Sequence, residues 1–258
     1  WVIRSSSTTQ SRATIKVHSA HGEHIITSHA EEPLVQPNVT FIRAGVRRIP
    51  CALILPRNVK PGTKLPVLMD PYGGPGHERV VDSYAAHCTS QWFADQGFAV
   101  LVVDGRGTPG LGTEWERAIY HDLATVVLED QVDALRAVAE LHPVLDLTRV
   151  GIRGWSFGGY LAALAVLRRP DIFHSAIAGA PVTDWRLYDT HYTERFLGNP
   201  RIDDAPYEAT SLINEAHNLQ RPLLLVHGLA DDNVVAAHTL QLSSALLAAG
   251  KPHEVLPL

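Results

Sequence analysis

Ser156 stands in Gly-Trp-Ser-Phe-Gly (154–158), at the junction of two apolar stretches, "RVGIRGW" and "GGYLAALAVLRR". Serine favours neither helix nor strand interiors, so propensity does not account for it there. The pattern fits the G-x-S-x-G elbow, a strained strand-to-helix turn that lifts a serine oxygen clear of a sheet. Gly154 and Gly158 let strand and helix approach closely. The helix N-terminus supplies positive potential and free N–H groups. The Phe157 N–H, one residue past the serine, is placed to donate to an oxyanion. The chemistry of such a serine is acyl transfer: attack on a carbonyl carbon, then hydrolysis of the acyl-enzyme. Five residues of this pattern occur by chance in many chains; the strand and helix around them give the motif its weight.

An elbow needs a sheet to stand on, and the chain supplies one. From about residue 38, "VTFIRAG" and "RRIPCALILP" predict two antiparallel strands. Apolar strands then alternate with helical stretches. The strands are "LPVLMDPYGG", "FAVLVVDGRG", "RVGIRGW", "HSAIAGAP", "PLLLVHG" and the beginning of one more at "HEVLPL". Helices are predicted at "WFADQ" (closed by Gly97), over 122–141, at "GGYLAALAVLRR" before Pro170, and at "VVAAHTLQLSSALLAAG". Strands this apolar, alternating with helices, imply an α/β domain whose mostly parallel sheet is covered by helices on both faces. Working residues in such sheets lie beyond the carboxyl ends of the strands. There the chain places "DPYGGPG", "DGRGTPG", "GWSFGG", "GAPVTDW" and "HGLADDN".

Residues 1 to about 32 differ in texture, being rich in Ser, Thr and His. "ATIKVHS" and "HIITSHA" predict a β-hairpin with Gly22 in the turn. A lone hairpin is marginal in water, so it should pack on something. "EEPLVQP" (31–37) is a connector, which divides the chain into 1–37 and 38–258.

A serine elbow on an alternating sheet implies an α/β-hydrolase, whose triad runs Ser, then Asp or Glu, then His. The acid should follow a late strand, and "PLLLVHGLADDNV" offers Asp231 and Asp232. Asp before a helix is often an N-cap, so one of the two has that role or faces solvent. His227 belongs to the strand itself and reads as packing the loop. The base should follow the last strand. His253 begins that strand, displaced about 16 Å from the active rim at ~3.3 Å per residue, and is rejected. The catalytic His is therefore expected beyond Leu258, within about ten residues, in the loop after that strand.

These residues together carry a resemblance. "GWSFGGY", "HGLADDNV", "DGRGTPG" and "WRLYDTHYTERFLG" resemble the prolyl oligopeptidase family of serine peptidases, and most of all its dipeptidyl peptidase IV branch, from about residue 38 to the end. The resemblance implies Ser156 as nucleophile and Asp231, first of "ADDN", as acid. It implies Tyr72 in "DPYGGPG" as the hydroxyl that completes the oxyanion hole with the Phe157 N–H. Trp185, Tyr188 and Tyr192 would form an aromatic wall for the residue before the scissile bond, usually proline; Val182 and Val234 would line it. Asn233 would hydrogen-bond a substrate carbonyl. The spacing of 185, 188 and 192 by three and four would set the three rings on one helix face. The resemblance also makes 1–37 the tail of a β-propeller, the paired glutamates that hold a substrate's free amine lying on propeller residues outside this chain. It allows a homodimer. Phe157 stands where that branch often has Tyr, but only its backbone N–H is needed.

Composition narrows the alternatives. With 45% hydrophobic and 19% charged residues the chain is ordinary globular protein. A net charge of −5 and a pI of about 6.3 lack the basic footprint of a nucleic-acid binder. No apolar run approaches the ~20 residues of a membrane helix, and no signal peptide opens the chain. Two cysteines, Cys51 and Cys88, make no disulfide framework and read as buried thiols. They suit a reducing, cytoplasmic setting. No cofactor or metal is implied; "HSAH" and "HGEH" (18–24) are the nearest approach to ligand spacing. A carboxylesterase of the same fold, or a non-catalytic hydrolase-fold binding module, are the rival readings.

Overall fold

The computed structural model describes all residues from Trp1 to Leu258. Its N-terminal part is a three-stranded antiparallel sheet: β1 (Val2–Ser7), β2 (Gln10–Ser19) and β3 (Gly22–Ile26). The expected hairpin is β2–β3, its turn at Ala20 and His21 with Gly22 opening β3 at φ 119°. β1 was not expected from the sequence, because its polar "SSS" end hides the alternation. This sheet is pinned by Asp82, whose Oδ1 accepts from the Thr8 N–H at 2.6 Å and whose carbonyl accepts from the Ser6 hydroxyl.

The second sheet has eight strands: β4 (Val39–Ala44), β5 (Ile49–Ile54), β6 (Leu65–Met69), β7 (Ala99–Val103), β8 (Leu145–Trp155), β9 (Ser175–Gly179), β10 (Leu223–His227) and β11 (Glu254–Pro257). Their spatial order is β11-β10-β9-β8-β6-β7-β5-β4. β6 to β11 run parallel; β5 and β4 join antiparallel at one edge. From β6 the chain steps one way to β7, then returns across to β8. The order reverses between β6 and β8, and at that switch point the carboxyl ends of neighbouring strands part to leave a crevice. β6 runs out into Asp70-Pro71-Tyr72 and β8 into Ser156.

Helices α1 (Tyr84–Asp95), α2 (Thr113–Arg117), α3 (Thr125–Leu141), α4 (Phe157–Arg168), α5 (Thr190–Leu197), α6 (Ala205–Thr210) and α7 (Ala237–Ala248) complete the domain. α4 is buried from Phe157 to Leu167, as its apolarity all round requires. It packs between β8, β9 and α3 in the large core. α1 covers the other face over β5, β6 and β7 around Ala52, Ile54, Leu68 and Val102. Further along that face Trp155, Ile177 and Leu256 are half exposed. α1 begins eight residues before the predicted "WFADQ". α3 starts at Thr125 because Asp122 caps it, its carboxylate accepting from the Ala124 and Thr125 N–H groups. Cys51 is buried, and burial pushes its thiol up to about 12. Cys88, expected buried as well, is only half-buried on α1. No helix is long and apolar enough to cross a membrane.

Two features predict measurable behaviour. A Cβ at Gly154 would sit 2.2 Å from the Gly158 carbonyl oxygen and 2.7 Å from its Cα, both backbone atoms. Overpacking against unyielding atoms costs about 1–3 kcal/mol or more. Gly154→Ala should therefore lower Tm by roughly 2–12 °C in a domain of this size; a Tm unchanged from the parent would refute the tight approach. The second feature is His238 on α7. Its Nδ1 accepts from the Thr183 N–H at 3.1 Å, and its Nε2 is buried without a partner. Burial, reinforced by repulsion from His227, pushes it down to about 4. A histidine buried neutral makes the fold lose stability as pH falls from about 6.5 toward 4, by on the order of 3 kcal/mol. Urea unfolding across that range should show a shallower acid loss in His238→Gln than in the parent.

Candidate active site

Four neighbouring strand ends build the site: β6 brings Tyr72, β8 Ser156, β9 the segment 180–188, and β10 the loop to Val234. At the elbow Ser156 has φ 58° and ψ −117°. Such a conformation costs a non-glycine residue about 1–3 kcal/mol and persists only when its surroundings impose it. Here they do. The Ser156 N–H donates to the Gly179 carbonyl and the Ser156 carbonyl accepts from the Tyr160 N–H, both at 2.9 Å. Gly158 lies so close to the β6 loop that a Cβ would be 2.7 Å from the Pro71 carbonyl oxygen. The Phe157 N–H is the first of α4 and has no intrahelical acceptor.

Tyr72 comes over this turn from the adjacent strand. Burial pushes its phenol above the usual range, while the Ser156 side chain, the polar neighbour of its hydroxyl, pulls the other way. Tyr72 thus stays a neutral O–H donor at and well above neutral pH. Its ring lies 6.0 Å from Phe157 and edge-on to His77 at 5.0 Å.

The aromatic wall is built differently from the single helix face that the spacing suggested. Asp184 caps a 3-10 turn at Trp185–Leu187, accepting from the Arg186 N–H. Asp189 caps α5, accepting from the Tyr192 N–H. Two caps five residues apart break one helix into two elements, and Tyr188 lies between them in extended backbone. The rings meet nevertheless. Trp185 is fully buried, stacked on Tyr192 at 6.0 Å and edge-on to Tyr188 at 6.0 Å, with Phe157 at 5.7 Å beneath. Burial raises the Tyr192 phenol well above its usual range, and the nearby Tyr72 and Tyr188 phenols add to that effect. Val182 and Val234 are both buried. The 3-10 turn is held from outside by Arg186, which pairs with Asp184, Asp204 and Glu208. None of these acids stood out in the sequence; Asp184 and Asp204 each stand directly ahead of a short helical run, and Glu208 lies within the second.

In the β10 loop, Asp231 and Asp232 separate cleanly. Asp231 is half-buried and its Oδ1 accepts from the Asn233 and Val234 N–H groups, at 3.1 and 3.0 Å. Asp232 is exposed. The Asn233 Oδ1 accepts from the Tyr188 hydroxyl at 3.4 Å, joining the acid loop to the aromatic wall. His227 is buried, its Nε2 bonded to the Val234 carbonyl and its Nδ1 to the Thr239 hydroxyl, each at 2.6 Å. It staples the loop. His253 lies at the start of β11, bonded to Ser243 and the Lys251 carbonyl. No histidine hydrogen-bonds to Ser156 or Asp231. In the β2–β3 hairpin, His18 faces Glu23, and no group of three or more His, Cys, Asp or Glu side chains is arranged to hold a metal ion.

Known proteins resemble this chain in sequence and in fold. Mouse dipeptidyl peptidase 8 is 40% identical over 208 residues, covering 79% of this chain and 23% of the relative. Human prolyl endopeptidase FAP is 36% identical over 198 residues, covering 76% and 26%. The crystal structure of Porphyromonas gingivalis dipeptidyl peptidase 4 superposes with a TM-score of 0.87 at 32% identity, over 99% of this chain and 38% of that one. The chain thus spans about a quarter of the length of the sequence relatives it matches. The profile of the prolyl oligopeptidase family matches residues 84–257. With two thirds of its length inside that match, and an elbow serine at the switch point of its sheet, the chain belongs to the prolyl oligopeptidase family, among dipeptidyl-peptidase-like members.

Proposed function

We propose that this chain carries the catalytic domain of a serine peptidase that cleaves peptides after proline, or alanine, in the manner of a dipeptidyl peptidase. Ser156 attacks the scissile carbonyl and forms an acyl-enzyme that water hydrolyses. The Phe157 N–H and the Tyr72 hydroxyl take the developing oxyanion. The observation that carries this reading is the convergence of a strained Ser156, a free helix-terminal N–H and a neutral tyrosine hydroxyl at one switch point.

Trp185, Tyr188, Tyr192, Val182 and Val234 are the proposed lining of a largely apolar substrate slot. It suits a pyrrolidine ring and rejects long flexible side chains. Asn233, on the loop between that slot and Asp231, is the proposed partner of a substrate carbonyl. Asp231 is the proposed orienting acid, because two backbone N–H groups fix its carboxylate while Asp232 faces water.

The general base is proposed to be a histidine beyond Leu258. Leu258 supports this by its position. Its N–H donates to the His227 carbonyl and its own carbonyl accepts from the Leu229 N–H, both at 2.9 Å. The polypeptide beyond it would therefore emerge beside the Gly228–Asp231 loop. Beyond peptide substrate, a homodimer and a β-propeller packed on residues 1–37 belong to the same proposal.

Two experiments test it. The 258-residue chain should hydrolyse a Gly-Pro chromogenic amide about 10⁴- to 10⁶-fold more slowly than a version extended by ~30 residues past Leu258, as loss of a triad member requires. Robust turnover by the shorter chain would overturn the placement of the base, and preference of the longer one for short esters over Pro-amides would overturn the peptidase assignment. In the longer chain, Asp231→Asn should lower kcat by about 10⁴-fold, whereas Asp232→Asn should leave it within about threefold. The reverse order would move the acid to Asp232.

A further inference from the structure

The loop that carries Tyr72 is closed by an ion cluster outside the reacting groups. Asp70, at the end of β6, is buried, 1% exposed. Its carboxylate receives both terminal guanidinium nitrogens of Arg79, at 3.0 and 3.1 Å, the Ser90 hydroxyl at 2.9 Å, and Arg153 at 3.3 Å. Arg79 also donates to the Asp70 backbone carbonyl. At its other end the Arg79 main chain is anchored to the next strand over: Asp104, just past β7, accepts from the Arg79 and Val80 N–H groups at 2.8 and 2.7 Å. One residue thus bonds both the start and the end of the turn 70–79, with Tyr72 inside the ring it closes.

We propose that Arg79 is a positioning residue for Tyr72, holding the oxyanion-directed hydroxyl over Ser156 by clamping Asp70 to the far end of the loop; this rests on the role proposed above for Tyr72. Gly73 and Gly74 lie against Leu161 and Phe157 and set how closely the loop approaches α4. They form no bond that fixes its direction along the helix. The Asp70 carbonyl, two residues ahead of Tyr72, is where that direction is set, and Arg79 holds it. A bidentate guanidinium suits this, since its planar fork fixes angle as well as distance. Arg153 keeps the Asp70 charge compensated when Arg79 is replaced, so the clamp can be removed without leaving a bare buried carboxylate.

The test uses the full-length polypeptide that carries this chain, with Arg79→Met, Arg79→Lys, Tyr72→Phe and the double variant Tyr72→Phe/Arg79→Met. Against a Gly-Pro amide, Tyr72→Phe should lower kcat about 10²-fold or more, the loss expected for one oxyanion donor. Arg79→Met should lower kcat about 10- to 100-fold with KM within about threefold, as a displacement near 1 Å does. Arg79→Lys should restore part of that loss. The double variant should fall no further than Tyr72→Phe alone, because the clamp acts through the hydroxyl. Multiplied losses in the double variant, or wild-type kcat in Arg79→Met, overturn the proposal. Amide hydrogen exchange reads the loop without substrate: Arg79→Met should speed exchange at residues 72–78 and leave α4 and β7 protected. If the parent protein cleaves no Pro-amide, the peptidase reading falls, and exchange alone decides the clamp. Unchanged protection at 72–78 overturns it. Should Arg79→Met not fold, the same measurements on Arg79→Lys, with its single-point ammonium, decide in the same way.

Discussion

Everything at the active rim depends on how closely three backbones approach at residues 154–159. Gly154 meets Gly158, Gly158 meets Pro71, and Gly159 meets the Gly179 carbonyl at distances where no Cβ fits. This crowding holds Ser156 at a positive φ and sets its direction. The same crowding brings the β6 loop against α4, so that Tyr72 and Ser156 share one small volume, and it sets the carboxyl end of β9 where the aromatic segment departs. The backbone strain of about 1–3 kcal/mol at the serine is offset by the fully buried helix that follows it.

Around that point the polar groups hold loops in place. Asp184, Asp189 and Asp231 each turn a carboxylate back onto the next backbone N–H groups, giving short loops a fixed course. His227 staples the loop of Asp231, Arg186 braces the turn of Trp185 against α6, and Arg79 ties the loop of Tyr72. Each loop at the rim thus has its own buried or half-buried fastening. Loops fastened in this way are held in one arrangement before anything binds at the rim.

The parts legible in the sequence were those where one physical demand acts alone. Apolar strands that need two covered faces gave the sheet, and glycines at strand ends gave the elbow and the rim. α1 was read only at its last turns because its earlier residues are polar yet buried: Ser90 serves Asp70, and Gln91 serves the Asn38 N–H and the Leu55 carbonyl. Hydrophobic periodicity is silent where a helix is buried by hydrogen bonds. The spacing of Trp185, Tyr188 and Tyr192 suggested a single helix, whereas capping aspartates divide it; the rings converge through tertiary packing that spacing cannot encode. What separates Asp231 from Asp232 likewise shows only in three dimensions, where one carboxylate turns back onto the Asn233 and Val234 N–H groups and the other faces solvent.

The apolar helix behind the serine also governs how this domain is made. α4 has no wet side, yet it is synthesised before β9 and the turn at 216–218 that help enclose it. For that stretch of translation the eight contiguous apolar side chains from Tyr160 to Leu167 lack part of the surface that buries them. A nascent chain in that state is prone to aggregate or to engage a chaperone. The sheet can settle only once β9 is in place, for the Gly179 carbonyl that receives the Ser156 N–H comes from that strand. The hydrogen bond that fixes the elbow therefore cannot form until the chain has been made as far as Gly179.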